Sequence, residues 1–303
     1  MAKTTMAKTM KAKTMPTKTR PASGTTPEAI RLYYARLLAA GCMVQDDRLV
    51  AAYASVPRER FVGPGPWKIP SVFDKSLLLT PSDDLAFLYQ DVLVSLADGK
   101  GLNNGQPSYH MRLMNAAQIR EGEAILHIGA GTGYYTAILA ELTGPKALVI
   151  GYEVEAGLAE QAARHLKTWP NVEILAQSGA EGPIPECDVI YVNAGATRPL
   201  DIWLDALRPG GRLILPMTGP KGWGAVLMVT RRTGDVLAAR FIMPVGIYPC
   251  VGARGESEAN SLGAALTTRT SDKVRSLHRG TPPDETCWLA GDGWWLSTAE
   301  IAA

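Results

Sequence analysis

The chain has 303 residues, 46% hydrophobic and 20% charged, with 31 Lys and Arg against 29 Asp and Glu, enough for one large or two modest domains and a sizeable core. Residues 1–27 hold Lys3, Lys8, Lys11, Lys13, Lys18 and Arg20 and no acid, which leaves 25 basic against 29 acidic residues and a body at −4. Such a body lacks the basic face of a sequence-nonspecific nucleic-acid binder, and no apolar run approaches the roughly 18 residues of a membrane span, so neither nucleic acid nor membrane is an expected partner.

The N-terminal 1–27 repeats a Met-Ala-Lys-Thr theme without apolar periodicity and is expected to be a disordered basic tail. Thr26 then caps a helix opening at Pro27-Glu28, in which Leu32, Ala35 and Leu38 recur at helical spacing until Gly41. A second helix over 47–55 leads into VPRERFVGPGPW, an irregular Gly/Pro/Ser-rich stretch to about 81, and an apolar segment over 85–96 with Tyr89-Gln90-Asp91 extended. Together, 28–110 form an N-terminal helical and loop region.

From Ser108 the pattern alternates. Helix is predicted at 111–118, 132–142 and 157–169, and strand at 124–129, 147–153, 171–177, 188–194, 212–217, 225–231 and 239–245, the last two as a hairpin around Thr233-Gly234. Strands apolar on both faces and separated by helices predict an α/β domain over 111–254, with a mostly parallel sheet covered by helices on both faces. Residues 255–303 form a C-terminal appendage, with a helix over 258–278 and a Trp288–Trp295 hairpin. The three tryptophans Trp288, Trp294 and Trp295 either line a pocket or fold onto the body. Cys42, Cys187, Cys250 and Cys287 are scattered without a CxxC pair, and the four histidines are equally dispersed. This pattern offers no metal site and suits a reducing, cytoplasmic setting.

The chemistry concentrates in Ile125-Leu126-His127-Ile128-Gly129-Ala130-Gly131-Thr132-Gly133-Tyr134. A buried strand runs into three glycines, which allow a sharp turn and close ligand approach, and the amides at the following helix start can bind a polar cofactor. Strand two ends in Glu153, 20 residues beyond Gly133, where an acid accepts hydrogen bonds from both ribose hydroxyls of an adenosine-containing cofactor. The spacing is GxGxG rather than the dinucleotide GxGxxG, and no GK[ST] opens a helix as a P-loop would. GxGxG followed by Glu153 resembles the S-adenosylmethionine (SAM) methyltransferases; the bland alternative is a ligand-free glycine turn.

The resemblance narrows outside the glycines. VPRERFV (56–62), Gln106-Pro107, HIGAGTGYYTAILAEL (127–142), YEVEAGLAEQA (152–162) and LRPGGRLILPM (207–217) together resemble the protein-L-isoaspartate O-methyltransferase family, from about residue 30 to about 255. The resemblance implies a Rossmann-like fold and a cofactor loop of His127, Gly129, Ala130, Gly131, Gly133 and Tyr134. It also implies Glu153 on the ribose, Val154 against the adenine, and Ser178-Gly179 near the adenine amine, where the family has Asp-Gly. His127 stands where the family usually has Glu; a neutral imidazole there is either a cofactor neighbour or a packing substitution. The family's Ser-Gln-Pro reads Gly105-Gln106-Pro107, so the serine hydroxyl expected at the substrate carboxylate is missing, with Asn104, Gly105 and Ser108 the candidate catalytic positions. An ionised carboxylate nucleophile, with a free pKa of about 4, needs no base; for other acceptors His110 and Asp91 are the nearest candidates in sequence, although side chains of this kind are more often structural or solvent-facing.

Three readings stay open: methylation of a protein or peptide carboxylate, methylation of a small metabolite or biosynthetic peptide, and a non-catalytic binding protein on the same fold.

Overall fold

The computed structural model describes residues 26–74, 76–96, 101–234 and 236–301. The expected tail at 1–27 therefore lies outside the described residues except for Thr26 and Pro27. Thr26 accepts from the Ala29 amide and opens α1 (Pro27–Cys42). Next come α2 (Asp47–Ser55), capped by Asp46, and the single-turn α3 (Glu59–Val62). Within the stretch expected to be irregular, β1 (Lys68–Pro70) and β2 (Leu77–Leu79) pair antiparallel. A one-turn α4 (Leu85–Leu88) precedes α5 (Pro107–Ala117), which runs across the expected 110/111 boundary.

The alternating part follows as β3 (Ile125–Ile128), α6 (Tyr134–Thr143), β4 (Val149–Tyr152), α7 (Ala156–His165), β5 (Val172–Leu175), β6 (Cys187–Val192) and α8 (Asp201–Ala206). Then come the long strands β7 (Leu207–Thr218), β8 (Trp223–Arg231) and β9 (Leu237–Gly246). The chain closes with α9 (Glu256–Thr267), β10 (Ser276–Arg279), β11 (Cys287–Gly291) and β12 (Trp294–Ser297). Ten strands form one sheet in the order β11-β12-β10-β9-β8-β7-β6-β3-β4-β5. The run from β7 to β5 is parallel; the pairs from β7–β8 outward to β12–β11 are antiparallel. The sheet is thus mixed, a parallel half continued by an antiparallel half.

Strand alternation explains the two-sided cover. Ile125, Val189, Tyr191 and Ile214 join a core with α1, α2, α5 and α6, while Leu126, Ile128, Ile190, Leu213 and Leu215 face the opposite way, toward Trp203, Leu204 and Leu262 of α8 and α9. Both faces bury apolar side chains, as a covered parallel sheet requires.

The helix expected over 258–278 stops at Thr267. Thr267 and Thr268 turn their hydroxyls back onto the Ala264 and Ala265 carbonyls at 2.6 and 2.7 Å, and Arg269 takes a left-handed φ of 56°. A polar Thr-Thr-Arg-Thr-Ser run carries no apolar stripe to prolong a helix. Residues 276–279 instead form β10, wedged between β9 and β12. The tryptophans fold onto the body: Trp294 and Trp295 are buried, Trp288 lies 5.3 Å from the Phe241 ring, and Trp295 stacks on His278. Among the described residues no helix is long and apolar enough to cross a membrane, and no cluster of His, Cys, Asp and Glu is arranged to hold a metal.

The chain leaves β3 for β4 on one side and reaches β6 on the other, so β3 borders the topological switch point. A crevice opens there beyond the carboxyl ends of the strands.

Candidate active site

At the end of β3 the backbone turns at Gly129, φ +79°, where a Cβ would sit 3.1 Å from the Asn193 carbonyl oxygen. The Gly129 and Ala130 amides donate to the Tyr152 carbonyl at 2.8 and 3.1 Å, fastening the loop to the end of β4. Gly133, φ +97°, caps α6 and lets the loop pack on α7, since a Cβ there would come within 2.7 Å of Leu166 Cδ1. Glu153 follows β4 directly and is buried; its Oε2 accepts from the Gly131 amide at 2.7 Å and its Oε1 from the Glu155 amide at 3.0 Å. Among the described residues no Lys or Arg forms an ion pair with it.

A cavity of about 700 Å³ opens at these strand ends. Gly129, Gly131, Glu153, Val154, Ser178 and Gly179 form one part of its wall, and Gly105, Gln106, Ser108, Tyr109, His110 and Arg112 another. Gly179 sits so close to Ile128 that any side chain would collide with its Cγ2, and its carbonyl accepts from Trp203 Nε1 at 2.7 Å. The Ser178 hydroxyl accepts from the Ala180 amide at 3.2 Å.

The other part of the wall is organised from a distance by the VPRERF motif. Arg58 is completely buried and donates to the carbonyls of Leu88 (2.7 Å), Gln90 (3.0 Å) and Val92 (2.6 Å) and to Asn104 Oδ1 (3.2 Å). Asn104 Oδ1 also accepts from the Val94 amide. Gly105 takes φ +76°, with its amide donating to Asn103 Oδ1 and its carbonyl accepting from the Tyr135 hydroxyl at 3.0 Å. Asp91 serves as the cap that Gln106 does not provide: it accepts from the Ser108 amide at 2.8 Å and from Gln106 Nε2 at 3.1 Å. His110 is buried, stacks on Tyr135 with ring centroids 3.5 Å apart and meets the Tyr191 hydroxyl through Nδ1 at 2.8 Å. Burial, with His127 and Arg58 nearby, holds it well below the usual histidine range.

Several expected site residues therefore belong to other structures. Asn104 is outside the cavity wall, because its side chain turns inward to Arg58. His127 is buried mid-strand and bonds Thr136 at 2.9 Å; burial pushes its pKa down to about 3, and it packs rather than facing the cavity. Tyr134 points into the first core, 5.7 Å from the Phe61 ring and beneath the Arg58 guanidinium. Ala130 and Gly133 also miss the wall, the first holding β4 through its amide and the second packing on α7. Asp91, a candidate base that also read as structural or solvent-facing, is a helix cap. Of the expected set, Gly105, Ser108, Gly129, Gly131, Glu153, Val154, Ser178 and Gly179 share the cavity.

Residues not singled out from the sequence complete it. Arg112 is the only Lys or Arg in the wall among the described residues, and Asn193, Trp223 and Tyr248 also line it. Arg112 had a signal, the one Lys or Arg of α5, five residues after its opening Pro107. Trp223 opens β8 and Tyr248 lies just after β9, both outside the motifs read from the sequence.

Residues 35–254 match the family model described as protein-L-isoaspartate(D-aspartate) O-methyltransferase (PCMT). The chain belongs to this family. Relatives named protein-L-isoaspartate O-methyltransferase from Ignicoccus hospitalis and Brucella anthropi are 28% and 27% identical, covering 71% and 72% of this chain and 94% and 91% of their own. One of the same name from Thermotoga maritima is 32% identical over 56% of this chain and 50% of its own length. A solved protein-L-isoaspartate O-methyltransferase superimposes with a TM-score of 0.61 at 23% identity, over 82% of this chain and 72% of that one. A Plasmodium falciparum structure described as a PCMT in complex with S-adenosyl-L-homocysteine gives 0.58 at 17%, over 73% and 98%. These two likenesses establish the Rossmann-like methyltransferase fold.

Proposed function

We propose that this PCMT-family chain is a SAM-dependent O-methyltransferase that esterifies a carboxylate on a protein or peptide, an isoaspartyl carboxylate above all. One observation carries the reading: a single cavity wall contains both the glycine turn with Glu153 and the Gly105–Arg112 segment that aligns with the family's acceptor-binding step. The cofactor end fits SAM chemically. Gly131 leaves open space where a side chain would stand, and Glu153 presents a buried carboxylate without a cationic partner, suited to accept from hydroxyls. Gly129, Gly131 and Glu153 would hold the ribose and methionine portions, and Val154, Ser178 and Gly179 the adenine. When bound, SAM supplies an electrophilic methyl group on its sulfonium, which a carboxylate receives as an ester.

The chain's own residues then have to orient the acceptor and exclude water rather than move a proton, because a carboxylate is ionised at neutral pH. Arg112 provides the attracting charge. Burial of His110 and the capping role of Asp91 suit this chemistry, since neither is placed to act as a base. The proposal includes a reducing, cytoplasmic setting, supported by the separated, buried Cys187 and Cys250. A second reading, with a small metabolite or a biosynthetic peptide as acceptor, is favoured by Gly105 in place of the family serine.

Incubation with methyl-labelled SAM and an isoaspartyl peptide is expected to yield a base-labile methyl ester. SAM binding without ester on that peptide would reject this acceptor. Absence of SAM binding altogether would favour a non-catalytic protein on the same fold.

A further inference from the structure

The missing serine at 105 and the buried histidine at 110 are two aspects of one arrangement. A Cβ built on Gly105 would lie 2.5 Å from His110 Nε2, 3.1 Å from its Cδ2 and 3.0 Å from Tyr135 Cε2. The imidazole thus fills the volume that a side chain at 105 would need. Its position is fixed from both sides, by the stack on Tyr135 and by the Nδ1 contact with Tyr191. Gly105 and His110 both border the cavity.

Among the described residues His110 Nε2 is buried and has no hydrogen-bond partner, and the same holds for His127 Nε2, but of the two only His110 borders the cavity, beside Gly105. The protonation of His110 follows from hydrogen-bond economy. Burial keeps the Tyr191 hydroxyl protonated, and among the described residues its one partner is His110 Nδ1. If Nδ1 carried the proton, the Tyr191 hydroxyl hydrogen would be stranded in the core. With Tyr191 donating to Nδ1, both groups are satisfied, and the neutral ring carries its proton on Nε2. An unpaired N–H donor therefore stands where the family places a hydroxyl.

We propose that His110 is an acceptor-binding residue: its Nε2–H donates to the methyl-accepting carboxylate in place of the serine hydroxyl at position 105. Glycine at 105 is the partner of that exchange, since any side chain there would displace the ring. The inference rests on the acceptor reading given above, and it explains how the reaction survives the lost hydroxyl.

The test measures SAM affinity by calorimetry and kcat and KM with an isoaspartyl peptide. It compares wild type, His110→Ala, His110→Gln, Gly105→Ser and Gly105→Ser/His110→Ala. A hydrogen bond to a charged group corresponds to roughly 10- to 100-fold. His110→Ala is therefore expected to bind SAM within about threefold of wild type and to lose about 10- to 100-fold in kcat/KM for the peptide. His110→Gln, which keeps an N–H donor at similar reach, should retain more activity than His110→Ala. Gly105→Ser alone should also lose activity, and adding His110→Ala should recover part of that loss by clearing the volume for the serine. Undiminished turnover by His110→Ala would overturn the inference. So would parallel losses of SAM affinity and peptide turnover in both His110 variants, the mark of a purely structural role. If wild type binds SAM and forms no ester, the acceptor reading itself fails, and this inference falls with it.

Discussion

Replacing Arg58 with methionine keeps most of the side-chain volume and removes the guanidinium that holds the 88–104 segment. Among the described residues the Val92 carbonyl loses its donor, whereas the Leu88 and Gln90 carbonyls keep the Gln90 and Val92 amides and Asn104 Oδ1 keeps the Val94 amide. An acceptor left unpaired costs about 1–3 kcal/mol, while the other three acceptors lose only one of two donors. Removing a buried cation returns part of this, because its desolvation is no longer required. The net expectation is a loss of about 1–3 kcal/mol, a substantial share of the roughly 5–15 kcal/mol that keeps a domain folded. Urea unfolding of wild type and Arg58→Met measures it as a shift in midpoint at constant slope. A local readout accompanies the global one: KM for the acceptor should rise more than the SAM dissociation constant, since the segment carries Gly105 and not the glycine loop after β3. A loss below about 1 kcal/mol with unchanged acceptor KM would refute the view that VPRERF organises the acceptor wall.

Glu153→Gln offers the Gly131 and Glu155 amides one acceptor and one competing donor, so SAM affinity measured by calorimetry should fall about 10- to 100-fold, the scale of one charge-assisted bond; an unchanged dissociation constant would remove Glu153 from the cofactor site. His127 makes the fold acid-sensitive with a definite sign. Its folded pKa of about 3 lies below the unfolded value of about 6.5, so the unfolded chain takes up the proton first as pH falls. The resulting stability loss, ~1.4 kcal/mol per pH unit, spreads from about pH 6.5 down toward pH 3. His127→Gln should flatten the decline in urea midpoint between about pH 6 and 4.5 relative to wild type, and equal slopes in the two proteins would show that His127 is already charged in the fold.

The alternating core of the fold was legible because both sequence periods are clean there. Residues 124–129 and 188–194 read as strands buried on both faces, and the structure has them at Ile125–Ile128 and Cys187–Val192; the GxGxG spacing with Glu153 located the cofactor end. Element boundaries moved where polar side chains compete with the backbone, as at Thr267 and Thr268. The antiparallel half of the sheet was only half visible, because β10 is four residues long and is specified by its neighbours rather than by its own pattern. The site was legible where a residue type has one use, such as a glycine at positive φ, and illegible where orientation decides. Asn104 and Gly105 are adjacent in sequence, yet one faces a buried arginine and the other the cavity. His127 and His110 looked alike as isolated histidines, and only the ring neighbours separate a packing group from one beside Gly105.

The family match ends at residue 254, but the sheet does not. Ser276 and Leu277 of β10 pair with the start of β9, and β12 and β11 follow beyond them, so the sheet's outer rim belongs to residues with no counterpart in the matched region. A chain cut back to that region would leave the start of β9, at Leu237 to Ala239, as a bare rim of unpaired amides and carbonyls, stripped of Leu277, Trp294 and Leu296 from its core. Exposed strand rims of this kind recruit other chains. The C-terminal strands thus act as a selvedge that finishes the edge of the cloth, and any minimal version of this protein has to keep them or replace them.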